Sequence, residues 1–185
     1  MMKRTKQSFA AIVALVVLSS ALAGCAESIP EPSTTSVTIS GSRDVLYDSL
    51  DAVKDDSTVV VTATVLSQIE PKEGVAGSPG TVSELKVVQS SQSDLADSPG
   101  QVFVFQYGTE TVSAMAPLLK KGETYLLFLT STGLAKARAN DFFVTGSSAG
   151  IYLLTSEGYK RLGEDGDVIP ALVTDKDALA LLRAQ

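Results

Sequence analysis

From residue 58 onward the chain alternates. Val59, Val61, Ala63 and Val65 are apolar, with Thr58, Thr62 and Thr64 between them, the two-residue repeat of a strand with one buried face. Residues 71–80 are punctuated by glycine and proline and read as a loop, residues 81–89 as a second strand, and residues 90–100 as a polar loop. Residues 101–107 form a third strand with Phe103, Phe105 and Tyr107 on one face and Val102 and Val104 on the other. Residues 125–130 are apolar on both faces, as a central strand covered on each side would be. Shorter strands follow at 142–145, 151–154 and 159–162, separated by glycine turns. Helical spacing occurs twice. Leu46, Leu50 and Val53 predict a short amphipathic helix over 42–54, packed across a sheet. Thr174 and Asp177 open a second helix through Ala178, Leu179, Leu181 and Leu182 in the manner of a capping box.

Many short strands with one helix before and one after predict a mainly β fold, a closed or partly closed antiparallel barrel. The order helix, long valine-rich strand, loop, strand, followed by LKKGETYLLFL (119–129) and FFVTGSSAGIYLL (142–154), resembles a group of small secreted or lipid-anchored actinobacterial proteins of unknown function. The resemblance covers residues 44–162 and implies a small barrel of the oligonucleotide/oligosaccharide-binding (OB) or netrin-like type. Netrin-like protease inhibitors direct a free N-terminal cysteine at a metal. Here the cysteine stands at the far end of a tether and is expected to be acylated, so that activity is not carried over.

The N-terminus reads as an address. Lys3, Arg4 and Lys6 make a positive region, residues 9–18 an unbroken apolar run, and residues 19–24 a small-residue segment. The run is shorter than the roughly 20 residues a membrane-spanning helix needs, although extending it to Ala26 approaches that length, so an uncleaved anchor is the competing reading. Leu22-Ala23-Gly24-Cys25 resembles the lipobox of bacterial lipoproteins and ends on the chain's only cysteine. The resemblance implies cleavage between Gly24 and Cys25, a diacylglyceryl group on the Cys25 sulfur, and a lipid-anchored protein on the extracytoplasmic face of the cell membrane. Two acyl chains hold stably where one holds only marginally. Three segments result: a signal peptide over 1–24, the lipidated cysteine and a Ser/Thr/Pro-rich flexible tether over 25–40, and a single β-barrel-like domain over 41–185.

Charge narrows the partners. Loss of Lys3, Arg4 and Lys6 leaves 12 of the 15 basic residues against 21 acidic ones, about −9. Affinity for nucleic acid comes largely from Lys and Arg neutralising phosphate, so nucleic acid is excluded as a partner. Lys120-Lys121 and Lys160-Arg161, the adjacent basic pairs of the exported part, lie beside glycines and read as solvated turns. With Cys25 acylated no disulfide forms, and the core alone must hold the domain together. The chain has no histidine, which removes the commonest general base and metal ligand. No cofactor is expected.

Three motifs resemble catalytic ones. Gly146-Ser147-Ser148-Ala149-Gly150 matches G-x-S-x-G, but there is no histidine and a strand, not a helix, follows, so a glycine-flanked hairpin turn is expected. Ser83-Glu84-Leu85-Lys86 matches S-x-x-K, but residues three apart on a strand point to opposite faces. Glu164-Asp165-Gly166-Asp167 offers Asp165 and Asp167 as a weak calcium site, and Asp55-Asp56 is a second acidic pair. A tight turn with glycine at positive φ is the expected role of the first cluster.

Phe103, Phe105 and Tyr107 are the candidate binding surface if they face outward, although core packing is the ordinary place for large aromatics. The expected function is a lipid-anchored, non-enzymatic interaction module of the cell envelope. Its partners are the membrane, through Cys25, and an envelope protein or cell-wall component. The alternatives are a carboxylate-dependent, calcium-assisted hydrolase and a barrel with a small ligand inside.

Overall fold

Five strands close on themselves, and the register between them decides which side chains face inward. In the computed structural model, which describes residues 45–93, 95, 100–114, 116–134, 140–163 and 166–183, they are β1 (Val59–Ile69), β2 (Gly80–Ser90), β3 (Gln101–Tyr107), β4 (Thr124–Ser131) and β5 (Asp141–Val144). The ring runs β1-β2-β3-β5-β4 and returns to β1, antiparallel throughout except for the parallel pair β3–β5. This is a small OB/netrin-like barrel. The 11-residue β1 bends round it through register shifts at Thr62/Ala63 and Val65/Ser67, the kinks that let one strand pair on both edges of a closing sheet. β6 (Ile151–Thr155), β7 (Gly158–Arg161) and β8 (Leu172–Val173) extend the sheet from β4, with helices α1 (Leu50–Asp55) and α2 (Asp175–Leu181) completing the domain.

Two apolar layers result. Val59, Val61 and Val65 of β1, Leu85 of β2, Val104 of β3 and Leu127 of β4 meet with others inside the barrel and fill it. The opposite faces of β1, β4 and β6 place Val60, Leu126, Phe128 and Tyr152 against Val53 of α1 and Ala178 and Leu181 of α2. β4 is therefore buried on both sides, the condition its continuous apolar run requires.

The caps follow local chemistry. Thr174 Oγ1 accepts from Asp177 N at 3.2 Å, the N-cap bond expected at the α2 start, while its hydroxyl, rather than the Thr174 backbone N–H of a full capping box, donates to Asp177 Oδ2 at 2.8 Å. The first helix is shorter than predicted. Ser49 caps it by accepting from Ala52 N at 3.2 Å, residues 45–49 are not helical, and Leu46 is exposed. Tertiary contacts override its helical spacing: Tyr47 N donates to Asp167 Oδ1 at 2.8 Å, Tyr47 O accepts from Val168 N at 2.9 Å, and the Tyr47 hydroxyl donates to Asp56 Oδ2 at 3.0 Å.

The expected hairpin at 146–150 is also corrected. β5 and β6 never pair with each other; both run antiparallel to β4, opposite Leu129–Ser131 and Tyr125–Leu127 respectively. They are one interrupted strand. Between them Gly146 turns at φ 61° and a 3₁₀ turn, Ser147–Gly150, interrupts the pairing, with Ser148, Ala149 and Gly150 buried. Gly146 lies under Tyr47, whose Cε2 would sit 2.5 Å from a Cβ there.

A connecting segment, itself neither strand nor helix, closes the lower end of the barrel. Residues 117–121 cross it as a strap, with Leu119 inserted into the barrel core. Gln106 fixes the strap from inside, its amide donating to Pro117 O at 3.0 Å and accepting from Leu119 N at 3.0 Å. Gln68 Nε2 adds bonds to Ser83 Oγ and Leu119 O at 3.0 and 2.8 Å.

The β1–β2 connection ends in a two-residue turn. Val75 and Ser78 bond reciprocally, and the central residues Ala76 and Gly77 have φ of 49° and 81°. Positive φ at both is the mark of a type I′ turn, which suits glycine and asparagine and penalises alanine. Ala76→Asn should therefore stabilise by about 0.5–1 kcal/mol, since Asn tolerates the left-handed region without glycine's extra unfolded-state freedom. The check is a rise of roughly 2–4 °C in melting temperature.

Candidate binding surfaces

Val102, Val104 and Gln106 face into the barrel, so Phe103, Phe105 and Tyr107 face out and are half-buried. The expectation of core packing for these aromatics is corrected. The inward choice is fixed by Gln106, whose amide is needed at the floor. Register then builds a transverse row on the outer surface: Ile69 lies opposite Val82, Val82 opposite Phe105, and Phe105 beside Phe143. Phe143 packs edge-on to Phe105, with centroids 6.2 Å apart at 71°, and stacks on Tyr107 at 5.8 Å and 16°. A second, more polar row runs Ser67, Glu84, Phe103, Asp141, with Ser67 Oγ donating to Glu84 Oε2 at 2.7 Å.

Phe143 belongs to this surface although the sequence did not single it out. Phe142-Phe143-Val144 has too few residues to reveal which aromatic faces outward, whereas the parallel register with β3 does. Where β5 gives way to β6 the barrel wall parts from β3, leaving a cavity of about 190 Å³ between Phe105, Tyr107, Phe143, Ser147 and Ile151. Ser147 lines it from the left-handed region, at φ 57°, a conformation costing roughly 1–2 kcal/mol for a non-glycine residue.

A larger groove, about 890 Å³, lies along the strap. Ile69, Pro117 and Leu118 provide its apolar surface, Glu70 and Glu110 stand together at one end, and Lys120 and Lys121 at the other. Glu110 N donates to Glu70 Oε1 at 3.2 Å. Lys121 precedes the turn at Gly122, whose N–H bonds Val65 O at 2.9 Å.

The motifs of catalytic type take structural places. Ser148 is buried, close against Gly163, and a strand follows it. Ser83 faces the barrel interior while Lys86 is exposed on the other side of β2. Asp167 is buried and holds the Tyr47 backbone, and Gly166 has φ 83°. Its proposed companion Asp165 lies outside the described residues, among which no three His, Cys, Asp or Glu side chains come together. Displaced pKa values fall on scaffold tyrosines. Burial pushes Tyr152 up to about 12, against a partial lowering by Arg161 and with a further rise from Asp167. Burial and the hydrogen bond to Glu123 raise Tyr125, and burial and Asp175 raise Tyr159.

Gly24 and Cys25 lie outside the described residues, and among those described no helix is long and apolar enough to cross a membrane. No protein-family model matches the chain. No curated protein matches it either.

Proposed function

We propose that the chain is an exported lipoprotein, anchored through Cys25 on the outer side of the cell membrane, whose barrel is a non-enzymatic binding module for an envelope protein or cell-wall component. The observation that carries the binding role is the outward row of Phe105 and Phe143 with Tyr107 stacked beside them. Rings held in this way offer large contact area with little side-chain entropy left to lose. The helices cover the far side of the barrel, where β1, β4 and β6 present their outer faces, and so leave this side for a partner. The anchor rests on the charged, apolar and small-residue sequence ending in Cys25.

One preparation tests both halves. Produced in a bacterial host, the chain should appear in the membrane fraction, begin at Cys25 and carry a diacylglyceryl mass, and Cys25→Ser should abolish the lipid mass. Residues 1–24 still attached to a bare thiol would sink the anchor. Envelope components that co-purify with the wild type should be lost from Phe105→Ala/Tyr107→Ala, with folding checked by circular dichroism. Undiminished co-purification would remove the aromatic row from the binding role.

A further inference from the structure

Among the described residues, β1 carries a length of unpaired edge. β4 pairs with it only from Val59↔Leu129 to Thr64↔Thr124, and the last backbone bonds on that edge join Val65 to Glu123 and Gly122. From Ser67 to Ile69 the strand pairs with β2 alone, and among the described residues no backbone group meets its other edge. The cause is local: the register shift at Val65/Ser67 and the turn at Gly122 send the chain before β4 away from the sheet and under the barrel. The groove of about 890 Å³ runs beside this edge.

Its charges are ordered along the strand. Lys120 and Lys121 precede the turn bonded to Val65, and Glu70 and Glu110 stand together at the other end of the stretch; five residues of strand from Val65 to Glu70 rise about 16 Å. All four are exposed, and among the described residues none is ion-paired. An extended peptide on an open edge gains main-chain hydrogen bonds, while side chains at alternate positions set its specificity.

We infer that this edge captures the C-terminal residues of a partner polypeptide by strand addition. The peptide runs antiparallel to β1, with a basic residue against Glu70 and Glu110 and its terminal carboxylate beside Lys120 and Lys121. Direction and ending both follow from the fold. A strand antiparallel to β1 here is collinear with β4, and β4 itself, beginning at Thr124, blocks any continuation. The partner chain must therefore end at the lysines, and the opposite polarity would set like charges together at both ends. Ile69, open at the rim, takes an apolar side chain from the peptide. The inference supplies a partner class for the binding role but uses neither the anchor nor the aromatic row, so its failure leaves both standing.

The probe is the pentapeptide Lys-Thr-Val-Thr-Val, as free acid and as C-terminal amide, titrated into the full chain in detergent. The free acid should bind at least about tenfold more tightly than the amide. It should also slow hydrogen exchange of backbone amides between Leu66 and Glu70. Lys120→Glu/Lys121→Glu, two exposed changes that leave the core intact, should erase the preference. Equal affinity for the two forms, a preference that survives the double variant, or no saturable binding up to about 1 mM would each overturn the inference.

Discussion

Leu119→Ala should destabilise the domain by about 3 kcal/mol, within the 2–5 kcal/mol typical of a buried leucine truncated to alanine. Leu119 is 1 % exposed and sits in the barrel core from a segment that is otherwise a connecting loop. Its backbone is held on both sides, N–H to Gln106 Oε1 and carbonyl to Gln68 Nε2. The strap cannot sink to fill the space without breaking those bonds, so the cavity persists. A melting-temperature fall of roughly 10 °C, read by circular dichroism, is the expected result. The control is Leu118→Ala, one residue earlier and half-buried at the groove, which should cost less than about 1 kcal/mol. Equal losses from the two substitutions would mean that the strap is not plugged into the barrel.

That plug also explains what could be read from the sequence and what could not. Strands were legible because alternation is local: Gln101–Tyr107 has the bounds its pattern predicts, and β4's double-sided burial follows from its unbroken apolar run. The face of β3 was not legible, because valines and aromatics are equally apolar. The deciding residue is polar. Gln106 turns inward to bond Pro117 and Leu119, more than ten residues later, and takes Val102 and Val104 with it. Leu46, Leu50 and Val53 mimicked a longer helix for a similar reason. Asp167, 120 residues away, claims the Tyr47 backbone and leaves Leu46 in solvent. The glycines at 146 and 150 suggested a hairpin, yet they mark an excursion within a strand whose partner, β4, precedes it in sequence. The two-residue strand β8 is too short for any period to show. The aromatic candidates were visible as residues, whereas their partner Phe143, the seam cavity and the groove edge arise only from register between distant strands.

Alkaline pH should unfold the domain through its tyrosines. Tyr152 is wholly enclosed, its ring against Phe128 and its hydroxyl donating to Pro170 O at 3.0 Å, and burial lifts its pKa from 10.0 to about 12. The folded state thus favours the neutral phenol. Below pH 10 both states hold the proton and the contribution is fully present. Between pH 10 and about 12 the unfolded chain gives up its proton while the folded one retains it, so stability falls as pH rises through that window. At about 1.4 kcal/mol per pKa unit, discounted for dielectric screening, Tyr152 alone accounts for roughly 2 kcal/mol. Tyr125 and Tyr159, shifted in the same direction, add to it. Tyr152→Phe separates this effect from ordinary packing. At pH 8 the variant loses the bond to Pro170 and should be less stable by about 1 kcal/mol. Above pH 10 it has no phenol to ionise, and its stability should decline less steeply than that of the wild type, so the two curves converge. Urea midpoints at successive pH values measure both slopes. Parallel curves would place the alkaline transition on other groups and leave Tyr152 as a packing residue alone.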